Sequence, residues 1–250
     1  MQFTDTHCHI HEASYADAEG AYERAHQAGI HRLICVGTDE KASQEAAEFA
    51  QTHESTWASV GLHPHEAVNN TVAELEKYIT EKTVAVGECG LDYFYEHSPR
   101  EKQIEILHQQ IGLAQKYDLP LIFHVRDAFD DFWPVFDQYP GLRGVLHSFT
   151  DTAENLQKAL ERNLYIGVNG ISTFTKVDAQ REMFSSIPLD NLLLETDAPF
   201  LTPVPKRGTV NEPAFITHIA HDLVNLRSIS LEELSRATER NATHLFFQNK

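Results

Sequence analysis

Several kinds of segment are missing from this chain, and each absence narrows what it can be. No stretch of its 250 residues approaches the ~20 apolar residues needed to span a bilayer. The opening MQFTDTHCHI lacks the charged and apolar regions of a secretory leader. Cysteine is scarce: Cys8, Cys35 and Cys89 are odd in number and far apart, which excludes a disulfide scaffold and reads as free thiols in a reducing cytoplasm. Basic residues are few, 20 Lys and Arg against 37 Asp and Glu, for a formal net charge of −17. That balance argues against a protein that coats duplex nucleic acid through many phosphate contacts. A local site holding divalent cations could still attract one phosphate, because the ions dominate the local field. There is no low-complexity tract, no fixed-period repeat and no Gly-rich phosphate loop after the first strand. The last of these removes the main support for a doubly wound open sheet.

Histidine is plentiful, with 15 residues, three of them inside TDTHCHIH (4–11). Such a run can be a tag, a solvated tail or a metal site, and its surroundings decide. Short β-rich runs recur along the chain: QFTDTHCH (2–9), RLICVG (32–37), WASVGL (57–62), TVAVGE (83–88), LPLIFHV (119–125), GVLHSF (144–149), LYIGV (164–168) and LLLET (192–196). Helical patterns separate them, most clearly over 100–117, where Ile104, Leu107, Ile111 and Ala114 define one face. Ser230-Leu-Glu-Glu233 is a capping box that opens a terminal helix. Strands alternating with helices imply parallel βαβ units, and eight in this length fit one α/β domain, a (β/α)8 TIM barrel over residues 1–250.

Side chains two apart share a strand face. Asp5, His7 and His9 therefore point one way and Cys8 the other. The fourth strand offers Val84, Val86 and Glu88, the fifth Ile122 and His124, the sixth Val145 and His147, the eighth Leu193, Glu195 and Asp197. Each apolar inward position gives way at the strand's C-terminal end to a His, Glu or Asp, where barrel active sites lie. His7, His9, Glu88, His124, His147 and Asp197 are more N/O donors than one tetrahedral ion takes. Two divalent ions bridged by Glu88 use them all. Imidazoles favour Zn²⁺ or Mn²⁺, and carboxylates also admit Mg²⁺. Cys8 and Cys89 each adjoin a ligand and so face away from the ions. His11, past the strand end, reads as a loop residue.

The motifs HCH (7–9), GLHPH (61–65), GECGLDY (87–93), HVRDA (124–128), LHSF (146–149), ETDAP (195–199), NEP (211–213) and NATHLF (241–246) resemble, in order and over essentially the whole chain, the TatD family of metal-dependent deoxyribonucleases. The resemblance implies a barrel with a two-metal centre that hydrolyses DNA, in several members as a 3′→5′ exonuclease, and by motif it implies the same six ligands. Two positions depart from the family pattern. His11 stands where an acidic residue is frequent, and Asn169 stands where a small residue such as Ser is expected.

Around the ligands, His63 is read as contacting substrate or orienting a ligand, or as a buried histidine bonded to a carbonyl, and His65 as a surface residue. Arg126 suits a phosphate clamp or an ion pair with Asp127. Tyr93, with Phe94 and Tyr95, offers rings for stacking on a base or packing on a helix. Lys206 and Arg207, in PVPKRGTVNEP (203–213), suit a phosphate or strand end, or plain solvation. Glu195 suits support of a ligand histidine. The expected chemistry is attack of a metal-activated water on a phosphodiester, with Asp197 as base and Glu88 as bridging ligand. The expected substrate is a single-stranded DNA end or short oligonucleotide, taken by a monomer without an obligate protein partner. An amidohydrolase-type barrel cleaving a small amide, lactone or phosphoester is the competing enzyme, disfavoured because the fourth strand has Glu88 and no lysine. A non-catalytic metal-binding scaffold is the third reading.

Overall fold

Parallel strands of a barrel are covered on both faces, and two strands of this chain are buried throughout although they carry polar residues. All ten residues of Thr83–Asp92 are buried, as are all six of Phe3–Cys8. The structure, a computed structural model, describes residues 1–95 and 97–248. The order begins β1 (Phe3–Cys8), α1 (Ala18–Gln27), β2 (Ile30–Val36), α2 (Glu40–Thr52), β3 (Thr56–Val60), α3 (Val72–Leu75) and β4 (Thr83–Asp92). It continues with α4 (Arg100–Tyr117), β5 (Leu121–Arg126), α5 (Phe129–Phe136), β6 (Gly144–Leu146), α6 (Ala153–Glu161) and β7 (Tyr165–Val168). It closes with α7 (Ile171–Phe174), α8 (Asp178–Ser186), β8 (Leu192–Leu194), α9 (Ile216–Arg227) and α10 (Leu231–Phe246). The eight strands form one parallel sheet in the order β1 to β8, the (β/α)8 barrel expected from the alternation. Residues 1–34 with 148–250 make one compact unit and residues 35–147 another.

Local chemistry starts the helices. Asp17, Asp39, Thr152 and Ser230 each accept a backbone N–H from the first turn of α1, α2, α6 and α10, satisfying donors that the helix leaves unpaired. Asp118 ends α4 in a left-handed conformation, φ 51°. Two strand boundaries differ from expectation. β4 runs on to Asp92, past Glu88, because Cys89 to Asp92 keep pairing with Phe123 to Arg126 of β5. β8 stops at Leu194, so Glu195 and Asp197 lie beyond it.

The segment after β8 is tied to β1 instead of continuing as a strand. The Asp197 N–H donates to His7 O at 2.8 Å and the His9 N–H to Ala198 O at 2.7 Å. The fully buried Asp5 carboxyl takes the Thr196 N–H at 2.9 Å, the Thr196 hydroxyl at 2.5 Å and, more weakly, the His7 N–H at 3.3 Å. Burial dominates these bonds and raises the Asp5 pKa to about 8.

A carboxyl whose folded pKa lies above its unfolded value holds a proton that unfolding releases. Its stabilising contribution is full below pH ~3.9 and is lost as pH rises through 8. In metal-free protein, denaturant unfolding should therefore show wild type losing on the order of 3 kcal/mol between pH 5 and pH 9 through this group. Asp5→Asn should flatten that loss. An unchanged pH slope in the variant would show that Asp5 is not its source.

Candidate metal centre

In the unit containing β1 and β8, alternation on β1 turns Cys8 outward, fully buried with its thiol 3.6 Å from Ile34 O. His7 and His9 consequently share the opposite face, with their Nε2 atoms 3.1 Å apart. Asp197 Oδ1 lies 3.7 Å from His7 Nε2 and 3.4 Å from His9 Nε2. Strand parity does not explain Asp197, because β8 has already ended. Its placement comes from the bonds to β1 described above and from a left-handed backbone, φ 59°. His11 lies in the turn past β1 and is buried, with its ring centroid 6.1 Å from that of His9. Glu195 Oε1 accepts the Ser148 N–H at 2.7 Å and lies 3.4 Å from Asn169 Nδ2, which also donates to Ser148 Oγ at 2.8 Å. Glu195 thus anchors the peptide directly after His147. A Cβ on Gly167 would come within 2.3 Å of Glu195 Oε2, so that glycine leaves the carboxylate its room.

In the unit 35–147 the pairing of β4 with β5 slips between Val86 and Cys89, which interrupts simple alternation at Glu88. Glu88 is fixed instead by its N–H donating to Gly37 O at 2.8 Å. Its Oε1 lies 2.8 Å from His124 Nδ1, 3.7 Å from His63 Nε2 and 3.7 Å from His147 Nε2. Parity does hold on β5: Phe123 packs its ring against Phe132 and Phe136 of α5, which turns His124 the other way. Cys89 is fully buried, its thiol 3.6 Å from Ile122 O, and burial pushes its pKa up.

Asp92, which strand-end reasoning passed over, is central here. Its Oδ2 lies 2.9 Å from His124 Nε2 and 3.1 Å from His65 Nε2, while Oδ1 accepts the N–H groups of Phe94 and Tyr95. Burial opposes the charge on Asp92, but His124 and the Tyr95 N–H outweigh it and hold the pKa below the carboxylate range. Burial likewise opposes a charge on His124, and Asp92 and Glu88 outweigh it to raise that pKa. His65, expected at the surface, is thereby drawn into the cluster. Two buried glutamines of α4 hold the strand ends on which it stands. Gln110 brackets Leu62, accepting its N–H at 2.8 Å and donating to its O at 2.9 Å. Gln103 does the same for Asp92, at 2.8 and 3.0 Å. The readable signal was a pair of glutamines seven apart on an otherwise apolar helix face.

Two overlapping groups in this unit have the donors to hold an ion: Glu88, His124 and His147, or His63, Asp92 and His124. The hydrogen bonds favour the first. His63 Nδ1 accepts the His65 N–H at 3.2 Å, so a neutral His63 carries its proton on Nε2 and has no lone pair there. Burial, then His124, lowers the His63 pKa to about 3, which keeps the ring neutral. Asp92 accepting from His124 Nε2–H leaves Nδ1 turned toward Glu88, the carboxylate–histidine arrangement that orients metal ligands.

The other sequence-predicted residues are placed as follows. Arg126 lies over the exposed Phe94 ring at 3.9 Å and over Tyr95 at 4.8 Å. Tyr93 donates its hydroxyl to Asp131 at 2.8 Å and carries Arg100 over its ring at 4.2 Å. Arg207 donates to Thr202 O and covers Phe174 at 4.0 Å, and Lys206 lies 5.4 Å above Phe215.

The family model described as "TatD related DNase" matches residues 4–247. An uncharacterized metal-dependent hydrolase, YabD, from Bacillus subtilis is 36% identical over 249 residues, covering 97% of this chain and 98% of that protein. The 3′-5′ ssDNA/RNA exonuclease TatD of Citrobacter rodentium is 35% identical over 243 residues, 92% of each chain. The crystal structure of YJJV, a TatD homolog from Escherichia coli, superposes with a TM-score of 0.90 at 31% identity, covering 98% of this chain and 97% of that one.

Asp92→Asn should weaken divalent-cation binding by roughly 10- to 100-fold, read by isothermal titration of metal-stripped protein. An affinity equal to wild type would remove Asp92 from the support of His124.

Proposed function

The chain belongs to the TatD-related DNase family, and from that premise we propose that it is a two-metal phosphodiesterase, a 3′→5′ exonuclease acting on single-stranded DNA ends or short oligonucleotides. It is a metal-dependent hydrolase of ester bonds. The observation that carries the finer reading is the pair of donor groups, His7–His9–Asp197 and Glu88–His124–His147, each gathered at strand C-terminal ends. In (β/α)8 barrels that end carries the active site. The six residues are assigned as the ligands of two divalent ions, Zn²⁺, Mn²⁺ or Mg²⁺, with Glu88 as the bridge. Their donor chemistry fits such ions: imidazole nitrogens and carboxylate oxygens, with the neighbouring Cys8 and Cys89 thiols set against backbone carbonyls instead.

When bound, the ions would supply Lewis acidity toward a phosphate oxygen and lower the pKa of water. The protein's own groups do the rest. Asp197 accepts the proton of the attacking water. His63, neutral with its proton on Nε2, can donate a hydrogen bond toward Glu88 or a substrate oxygen. Glu195 fixes the loop that follows His147. Arg126, Lys206 and Arg207 offer positive charge to phosphates, and Tyr93, with Arg100 over its ring and its hydroxyl on Asp131, offers an aromatic surface to substrate. With a net charge of −17, the surface favours a strand end entering the site over a wrapped duplex. Among the described residues no helix is long and apolar enough to cross a membrane. We assign the whole chain to one hydrolase domain that works as a cytoplasmic monomer.

The test is digestion of a 5′-labelled single-stranded oligonucleotide by metal-stripped protein with Mg²⁺, Mn²⁺ or Zn²⁺ restored. A ladder of shortening labelled products that requires metal, and that Glu88→Ala abolishes in a folded chain, is expected. Undiminished digestion by folded Glu88→Ala would overturn the assignment of Glu88 as bridge.

A further inference from the structure

Phe200 is 58% exposed, yet its backbone is hydrogen-bonded on both sides. Its N–H donates to Asp197 O at 2.8 Å, closing a turn that begins at Asp197 itself. Its carbonyl accepts from Asn211 Nδ2 at 2.6 Å, and the same amide donates to Thr196 O at 2.8 Å. Asn211 is fully buried, and its own carbonyl accepts the Tyr15 hydroxyl at 2.9 Å. The Phe200 ring centroid stands 6.4 Å from that of His9, at an interplanar angle of 61°. A large apolar ring is thus presented to solvent on a rigid turn, one turn away from an assigned metal ligand and beside another.

We propose that Phe200 is the platform of a nucleobase-stacking subsite, taking the base of the nucleotide whose phosphodiester lies at the His7–His9–Asp197 group. This rests on the nuclease reading above and adds the residue that grips the substrate beyond its phosphate. An acidic chain gains little affinity from long-range attraction of a polyanion, so a π-face offers a source of grip that does not depend on charge. Every base has such a face, so the subsite tolerates any sequence. Holding both peptide groups of Phe200 in hydrogen bonds removes most of the ordering cost that a mobile aromatic would bring to binding. The other rings near strand ends are differently placed: Tyr93 and Phe94 already carry Arg100 and Arg126 on their faces.

The experiment compares two single-stranded oligonucleotides that differ only in the 3′-terminal nucleotide, one bearing a base and one abasic, with KM and kcat measured separately. Wild type should bind the base-bearing end about tenfold more tightly, read as a lower KM at similar kcat. That ratio should collapse toward one in Phe200→Ala and in Phe200→Leu, which keeps apolar bulk without a π-face, and persist in Phe200→Tyr. A wild-type ratio near one, or a ratio that survives Phe200→Ala in a protein that still digests the oligonucleotide, overturns the subsite alone. A wild-type protein that digests neither oligonucleotide with any metal overturns the nuclease reading and the subsite with it.

Discussion

The placement of the β8 end rests on a short exchange of hydrogen bonds between that end and β1. Once β8 stops at Leu194, nothing in strand geometry would hold Asp197 or Phe200 in place. The bonds from Asp197 N–H to His7 O and from His9 N–H to Ala198 O supply that hold, and Asp5 reinforces it through Thr196. Buried backbone groups must find partners, and here the partners are the peptides of the histidines themselves. The same bonds that seat Asp197 therefore seat His7 and His9. Asn211 extends the constraint one turn further, to Phe200.

A second constraint is electrostatic. Glu88 and Asp92 are almost fully buried, and an ionised carboxylate out of water is costly unless it is paired. Each has imidazoles around it: His124, His63 and His147 about Glu88, and His124 and His65 about Asp92. Imidazoles can compensate a carboxylate by carrying a proton or by ligating a cation alongside it. His63 is held neutral by burial, whereas His124 is held toward the charged form by its two carboxylates. A cation held by Glu88 and His124 would compensate the same carboxylate charge, and Asp92 would then orient the His124 ring.

Much of this was legible in the residues. The eight β-rich runs correspond to the eight strands, and α4 has the bounds that its spacing implies. Alternation accounts for the orientation of His7 and His124, because Cys8 and Phe123 are apolar anchors on the opposite face, and His9, just past β1, still turns toward His7. It could not account for Glu88, where the β4 register slips, or for Asp197, which lies beyond its strand. Alternation selects both residues, yet the bonds that fix them involve backbone groups that no side-chain pattern reports. Asp92 and His65 were missed because β4 runs longer than its apolar stretch and because the partner of each is distant in sequence. Gln103 and Gln110 left a visible trace as polar residues on a buried helix face, but their targets are backbone groups, of Asp92 at the end of β4 and of Leu62 just past β3, that no side-chain pattern reports.

Six side chains, drawn from β1, β4, β5 and the segments after β1, β6 and β8, are assigned to two cations. The most direct check is to count them, by titrating metal-stripped chain with Zn²⁺ or Mn²⁺ and measuring bound metal per chain at saturation. Two ions per chain are expected. Saturation at one ion, or no retained ion in a folded chain, would contradict the assignment.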